Sequence, residues 1–264
     1  MSECPPAQNH GAASGAPACP ACGGHAWSDR KSWTSLRDCL GCGVVLNDRS
    51  ASRQEEEARY QDRERAIEGS DPARARRRWR LAVRIAAAAD GAPPSVLDVG
   101  CGAGEFLRVA GEAGARTAGI EIDPRAATVA RAAGLTIAEG SIHDVAVPAG
   151  PWDLVTFWDV LDQIEDPPAA LRAVLPRLRS GGVLLVRGRN GRLHAALKRA
   201  ALRVRQVVPG APDPAVVHRW GFGPSAWRSL LSGAGLVDIR SLAAARVPPA
   251  LSPSILTFGR KPAA

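Results

Sequence analysis

The sequence is short of several residue types and patterns, and each shortage narrows what the protein can be. Its 264 residues include one methionine, one tyrosine and four phenylalanines. No stretch approaches the roughly 18 consecutive apolar residues of a transmembrane helix, and the N-terminus lacks the basic and then apolar segments of a secretory signal. We therefore expect a cytoplasmic protein without a membrane partner. The 45% of apolar residues suffices for a packed core and argues against a wholly disordered chain.

Lysine is also scarce, although the chain is basic. Only Lys31, Lys198 and Lys261 are lysines among 34 basic residues, so arginine supplies most of the net charge of +8. Together with abundant alanine, glycine and proline, this bias indicates compositional drift more than a nucleic-acid interface. A basic balance can still steer anionic partners, so nucleic acid is disfavoured but stays open as a partner.

Composition divides the chain into four regions. Residues 1–18 are small and rich in proline, glycine and alanine, which predicts a disordered tail. Residues 19–46 are rich in cysteine, and residues 47–71 are almost entirely polar, which predicts a charged linker. Residues 72–264 form the main domain. It opens with a helix whose arginines are expected to stay in water while its apolar residues pack, namely Trp79, Leu81, Val83 and Ile85.

Four cysteines have the spacing of a metal site. Cys19 and Cys22 form one C-x2-C pair, Cys39 and Cys42 form another, and sixteen residues separate the two pairs. This spacing is typical of tetrahedral zinc sites and is favoured over a disulfide, because a cytosolic chain keeps its thiols reduced. Four sulfur ligands leave no open coordination position, so we predict a structural zinc ribbon over residues 19–46.

From residue 95 onward, short apolar runs alternate with amphipathic stretches, which predicts strand–helix repeats and a mostly parallel sheet. The predicted strands are 95–99, 117–122, 135–139, 153–158 and 182–187, followed by two closing strands within 236–247 and 254–261. The predicted helices are 104–114, 124–133, 168–179, a long helix over 190–208 and a last helix from 224. The long helix is expected to lie over the domain with one apolar face formed by Leu193, Leu197, Ala200 and Val204.

A glycine loop follows the first of these strands. Gly100, Gly102 and Gly104 alternate between the strand that contains Asp98 and the next helix. Glu121 ends the following strand about 20 residues further on, where a carboxylate can accept hydrogen bonds from ribose hydroxyls. Strand, glycines, helix and acidic residue together predict a nucleoside-containing cofactor. The pattern G-x-G-x-G differs from the pyrophosphate-binding G-x-G-x-x-G.

The segment VLDVGCGAG resembles the corresponding motif of class I methyltransferases that use S-adenosylmethionine, and FWDVLDQIEDP and VLPRLRSGGVLLV resemble further landmarks of that family. The resemblance implies an α/β fold with a Rossmann-like seven-stranded methyltransferase sheet. It implies that Asp98 and the three glycines pass the amino-acid end of the cofactor, that Glu121 binds the ribose and that Ile122 lies beside the adenine. The remaining cofactor-binding candidates are Ser141, Ile142 and Trp158.

A narrower resemblance involves the zinc-ribbon branch of small-molecule methyltransferases, which combine a four-cysteine ribbon, a linker, this domain and a late segment like HRWGFGP. Relatives usually have E-H where this chain has Asp162-Gln163, so a base at that histidine is missing here. The groups that could instead take a proton from the methyl acceptor are His218, His143, Asp159 and Asp162. Tyr60 and Trp220 are candidates for substrate contact.

Three functions remain open at this stage. We favour in-line methyl transfer from S-adenosylmethionine to a small or carrier-borne metabolite. An RNA methyltransferase is the second function, although the N/D-P-P-Y/F signature of amino-group methylation is absent. A non-catalytic module that keeps the cofactor fold is the third, because the E-H pair is missing. The sequence indicates neither the accepting atom nor the oligomeric state.

Overall fold

The computed structural model describes residues 16–29, 34–47, 71–86, 92–207, 218–243 and 247–263. Most of the predicted tail and nearly all of the predicted linker, with Tyr60, lie outside these residues, and the predicted domain boundaries stay predictions. None of the helices in the described part of the chain combines the length and the hydropathy that crossing a membrane requires.

The chain forms ten strands and six α-helices over the described ranges. The strands are β1 (Leu36–Asp38), β2 (Val45–Asn47), β3 (Val96–Val99), β4 (Thr117–Glu121), β5 (Ile137–Glu139), β6 (Trp152–Trp158), β7 (Leu178–Arg189), β8 (Trp220–Gly221), β9 (Val237–Ala243) and β10 (Ser254–Arg260). The helices are α1 (Pro72–Ala86), α2 (Glu105–Glu112), α3 (Pro124–Ala132), α4 (Pro167–Val174), α5 (Gly191–Val207) and α6 (Pro224–Gly233).

Seven strands form one sheet in the order β5-β4-β3-β6-β7-β10-β9. β3 pairs in parallel with β4 and β6, and β4 pairs in parallel with β5. Every residue of β3 is buried, as expected for a central strand that is covered on both faces. The predicted Rossmann-like seven-stranded α/β fold is confirmed.

The described residues group into two compact units. The first, called the loop unit here, contains residues 71–86, 92–160, 169–186 and 259–263. The second, called the ribbon unit, contains residues 16–29, 34–47, 161–168, 187–207, 218–243 and 247–258. In the ribbon unit β1, β2 and β8 form a small sheet in which both pairings are antiparallel.

Helix α1 differs from its prediction in the face that it buries. Its buried residues are Ala75, Trp79, Ala82 and Ala86, whereas Leu81, Val83 and Ile85 are only half-buried. Residues two apart point to different sides of a helix, so the predicted set could not have formed one stripe. Arg78 lies next to the buried stripe, and its side chain is 16% exposed. The prediction that the arginines stay in water is therefore wrong for Arg78.

Helix α4 ends earlier than predicted. It stops at Val174, a short 3₁₀ turn covers Leu175–Arg177, and β7 begins at Leu178. Pro176 explains the difference, because a proline inside a helix lacks the N–H donor and its ring clashes with the preceding turn. The predicted helix over 168–179 therefore gives way to a strand that starts four residues before the expected 182.

Helix α5 also turns a different face inward. Leu197 and Val204, predicted on its apolar face, are 51% and 52% exposed. The buried residues are Gly191 and Ala195, and Ala195 packs with Leu36 and Val45 of the small sheet. Small side chains at these positions bring the helix close to the sheet, which leaves the larger aliphatic residues in solvent.

Candidate functional site

The loop between β3 and α2 carries three glycines in left-handed backbone conformations. The φ angle is +71° at Gly100, +58° at Gly102 and +83° at Gly104. A Cβ atom at Gly100 would come within 2.5 Å of a methyl carbon of Val160, whereas a Cβ atom at Gly102 would meet nothing within 4 Å. The loop therefore depends on glycine for its conformation and leaves open space beside Gly102.

Glu121 holds this loop from the end of β4. One of its carboxylate oxygens accepts a hydrogen bond from the Gly102 N–H at 2.7 Å, and the other accepts one from the Asp123 N–H at 2.9 Å. The two features that the sequence analysis assigned to one site are thus in direct contact. Ile122, the next residue, is 60% exposed, so an apolar side chain is available to a ligand at this end of β4.

Asp98 is a buried carboxyl group on β3. It is 2% exposed, and Oδ1 accepts a hydrogen bond from the Thr156 hydroxyl at 2.6 Å. Burial raises the pKa of Asp98 to about 7, because the Thr156 hydrogen bond and the charge of Arg78 only partly offset the loss of solvation and Glu121 adds repulsion. Asp98 therefore changes its protonation state close to neutral pH.

Arg78 is a candidate residue that the sequence analysis missed. Its guanidinium donates a hydrogen bond to Asp159 Oδ2 at 2.9 Å and lies 4.8 Å from the centre of the Trp158 ring. Trp158 is buried, and within the described residues its indole N–H has no acceptor. Helical spacing could have identified Arg78 from the sequence. Arg78 lies three residues after Ala75 and four before Ala82, so it shares a helix face with these buried residues.

The other candidates of the loop unit follow β5. The Gly140 N–H donates to the Glu121 carbonyl at 2.8 Å, which brings the start of this turn to the end of β4. Ser141 is half-buried and Ile142 is buried, whereas His143 is exposed and its backbone N–H donates to Ser141 Oγ at 3.2 Å. The turn thus brings Ser141 and Ile142, but not the His143 ring, into the packed part of this unit.

His218 and Asp162 form a pair within the ribbon unit. The His218 Nδ1 atom lies 3.0 Å from Asp162 Oδ2, and the Asp162 side chain is 2% exposed. The second oxygen, Oδ1, is buried and has no hydrogen-bond partner among the described residues. Since the carboxylate binds Nδ1, it fixes the orientation of the ring and leaves Nε2 as the nitrogen that can exchange a proton.

The four cysteines converge in the ribbon unit. All four sulfur atoms lie within 4.8 Å of one another, with Sγ–Sγ distances of 3.4 Å for Cys19 and Cys42 and 3.6 Å for Cys22 and Cys39. Tetrahedral zinc with bonds of about 2.3 Å separates its sulfur ligands by about 3.8 Å. Hydrogen bonds from Cys19 and Cys42 lower the pKa of Cys39, so a thiolate is favoured within the cluster. The donor set therefore fits zinc.

A comparison with known families decides the affiliation of the chain. A family profile described as a methyltransferase domain matches residues 73–241, which is more than half of the sequence. The chain belongs to this methyltransferase family. The match includes the glycine loop, Glu121 and the His218–Asp162 pair. It confirms the predicted affiliation with class I methyltransferases.

Two ubiquinone biosynthesis O-methyltransferases are similar to parts of the chain. The ubiquinone biosynthesis O-methyltransferase of Xanthomonas oryzae pv. oryzae (strain PXO99A) is 34% identical over 109 residues, which cover 39% of this chain and 46% of that protein. The enzyme of the same description from Xanthomonas axonopodis pv. citri (strain 306) is 30% identical over 159 residues, or 58% of this chain and 66% of the relative. The chain thus matches between about half and two thirds of the length of these relatives.

A solved structure supports the fold. Magnesium protoporphyrin IX methyltransferase from Synechocystis PCC 6803, with bound SAH, superposes with a TM-score of 0.54 and 19% sequence identity. The superposition covers 79% of this chain and 97% of that protein. The two proteins therefore share the methyltransferase fold.

Proposed function

We propose that the protein transfers a methyl group from S-adenosylmethionine to a small or carrier-borne metabolite by in-line displacement. The observation that carries the proposal is the pair of hydrogen bonds by which Glu121 holds Gly102 and Asp123, beside the open space at Gly102. Membership of the methyltransferase family supplies the reaction class. The cytoplasmic location stays a prediction from the sequence.

The residues of the loop unit fit this cofactor. Asp98 and the glycine loop offer a carboxyl group and backbone carbonyl oxygens to its amino-acid end, and Glu121 offers carboxylate oxygens to ribose hydroxyls. The exposed side chain of Ile122 offers an apolar surface to the adenine, with Ser141, Ile142 and Trp158 as the remaining cofactor candidates. When bound, S-adenosylmethionine supplies a methyl group on a positively charged sulfur.

The accepting atom in our proposal is an oxygen. The curated relatives are described as O-methyltransferases, which favours a hydroxyl acceptor over nitrogen or carbon. A hydroxyl group must lose its proton as the oxygen attacks, so a base is required. In the displacement the new oxygen–carbon bond forms, the carbon–sulfur bond breaks and its electron pair remains on sulfur.

His218 is the base that the side-chain contacts favour. Asp162 holds Nδ1, so Nε2 can accept the acceptor's proton, and the carboxylate stabilises the imidazolium that results. The other candidates are less suited: His143 is exposed, and Asp159 is paired with Arg78. Asp162 therefore orients the base instead of acting as one.

We also propose that the four cysteines bind one zinc ion with a structural role. The four sulfur atoms occupy all positions of a tetrahedral site, so the ion would stabilise the ribbon without contacting substrate. This proposal adds no step to the reaction.

Titration calorimetry with S-adenosylmethionine and S-adenosylhomocysteine tests the cofactor site. Glu121→Ala removes both carboxylate hydrogen bonds, so we expect affinity for both ligands to fall at least about tenfold. Glu139→Ala is the matched control, because Glu139 is the exposed register partner of Glu121 on β5. Equal affinities in the wild type and Glu121→Ala would contradict the assignment.

Turnover with a panel of phenols and catechols tests the base. His218→Gln is expected to lower kcat about 100-fold or more while leaving cofactor affinity unchanged, because general-base catalysis contributes on that order. His143→Gln, at the exposed histidine, is expected to behave like the wild type. Unchanged turnover in His218→Gln would remove His218 from the mechanism.

A further inference from the structure

Strand β8 connects the cysteine ribbon to the segment that carries His218. β8 pairs with β2 in antiparallel register, with Val45 opposite Gly221 and Leu46 opposite Trp220. Next to this pair, the Asn47 N–H donates to the carbonyl of Arg219, the residue that precedes β8, at 2.9 Å. The backbone that leads out of His218 is therefore the third strand of the ribbon's own sheet.

Trp220 links the same strand to the segment that carries Asp162. Its backbone N–H donates to the Asp162 carbonyl at 3.0 Å, and its indole N–H donates to the Ile164 carbonyl at 3.0 Å. The ring is buried and lies 6.3 Å, centre to centre, from Trp27 of the ribbon. Both members of the His218–Asp162 pair are thus attached to a strand that the ribbon holds in place.

Helix α5, in the same unit, packs against both β8 and the ribbon. Gly191 approaches β8 so closely that a Cβ atom there would lie 2.0 Å from the Gly221 Cα atom. Further along the helix, Arg199 donates to Asp38 of β1 at 2.7 Å. The ribbon, β8 and the start of α5 therefore pack closely against one another.

The charged surroundings of His218 come from several segments of this unit. Asp162 binds its Nδ1 atom. His194 of α5 is close enough to interact electrostatically with His218 and Asp162, and Arg189 at the end of β7 acts on His194. Arg219, the neighbouring residue, pairs with Glu165 at 3.3 Å. A displacement of β8 would change the distance from His218 to each of these groups.

We infer that the cysteine ribbon is a positioning element for the proposed base: through β8 it keeps His218 on Asp162, so that occupancy of the cysteine cluster controls the protonation behaviour of His218. The inference rests on the proposed function of the His218–Asp162 pair. It gives the ribbon a role in the chemistry although none of its residues needs to touch the substrate.

Two glycine substitutions test this inference in the zinc-loaded full-length protein. Gly221→Ala adds a Cβ atom that would lie 2.9 Å from Val45 Cβ and 3.3 Å from Gly191 Cα, which forces β8 away from β2. Gly233→Ala is the control, because a Cβ atom at that end of α6 meets nothing within 4 Å. Both variants keep His218, Asp162 and all four cysteines.

The readouts are the NMR titration of His218, assigned from the signal lost in His218→Gln, and the pH profile of kcat. We expect Gly221→Ala to shift the titration midpoint and to lower kcat at least about tenfold, while KM for the cofactor stays unchanged. Gly233→Ala is expected to match the wild type in every measurement. A wild-type His218 titration and kcat profile in Gly221→Ala would overturn the inference.

Metal removal provides a second test that does not depend on the substitution. Chelation is expected to produce the same change in the His218 titration as Gly221→Ala, whether or not an acceptor is present. An unchanged titration in chelated, folded protein would also overturn the inference. Failure of the proposed function would look different: His218→Gln would then retain full turnover, irrespective of how the ribbon affects the ring.

Discussion

At the scale of single residues, the loop unit concentrates charge in a small buried volume. The charge of Glu121 raises the pKa of Asp98, and the charge of Arg78 lowers it. Burying a carboxylate is costly unless it is paired, and within the described residues Asp98 has a hydroxyl partner but no ion pair. The result is an acid whose pKa is about 7.

This pKa predicts how stability depends on pH. Between the unfolded pKa of about 3.9 and the folded value of about 7, the folded protein retains a proton that the unfolded chain has lost. The contribution of Asp98 to the free energy of unfolding is therefore largest below that range and falls as the pH rises, by at most about 1.4 kcal/mol per pH unit. Asp98→Asn should remove this slope.

Chemical denaturation of the wild type and Asp98→Asn at intervals between pH 5 and pH 8 measures the slope. The variant should gain stability relative to the wild type as the pH rises through this range. A constant difference between the two proteins across the range would show that the folded-state pKa of Asp98 lies below it and is not raised to about 7.

A second prediction at this scale concerns Arg78. Arg78→Met removes the guanidinium from Asp159 and from the face of Trp158, and we expect a loss of about 1–3 kcal/mol in unfolding free energy. Arg77→Met, one residue away, is the control, because its side chain is 62% exposed and it should change stability by less than about 0.5 kcal/mol. Equal losses in the two variants, measured by denaturant unfolding, would contradict a specific role for Arg78.

At the scale of elements, the need for glycine in the glycine loop can be tested with alanine substitutions at two positions. Gly104 lies in the loop just before α2, and Gly111 lies within the helix. Gly104 has a φ of +83°, and a Cβ atom there would lie 2.2 Å from a Leu135 methyl carbon. Gly104→Ala should therefore cost about 1–3 kcal/mol. In the last turn of α2, a Cβ atom at Gly111 would meet nothing within 4 Å, so Gly111→Ala should stabilise the protein by up to about 1 kcal/mol. Thermal unfolding of both variants should show shifts of opposite sign.

The elements also indicate what the sequence could predict and why. Strands β3 to β7 were predictable because continuous apolar runs lie between clear helix signals, such as Pro124 at the start of α3. The face of α1 was within reach of the sequence, since a strict 3.6-residue period selects Ala75 and Trp79 over Leu81. The inward face of α5 could not be predicted from the sequence, because Ala195 packs against ribbon residues that are far away in the sequence.

At the scale of the whole chain, the ribbon's third strand lies far from the rest of the ribbon in sequence. β2 ends at Asn47 and its partner β8 begins at Trp220. A two-residue strand has no periodic pattern, and its pairing is set by tertiary contacts, so spacing alone could not have joined the two. The same reason explains why the sequence named His218 and Asp162 separately but did not predict their contact.

The division into two units predicts that the two proposed roles respond differently to metal removal. Purified protein should contain about one zinc ion per chain, and chelation should remove the folding energy that the ion supplies to the ribbon. Hydrogen exchange should then increase at the amides of β2 and β8, which share backbone hydrogen bonds, whereas the amides of β3 and β4 should stay protected.

Affinity for S-adenosylhomocysteine, measured in the same samples, should change less than about twofold because Glu121 and Gly102 belong to the other unit. Loss of protection in β3 together with loss of cofactor binding would instead mean that the ribbon stabilises the whole protein, and the ion would then have a global structural role.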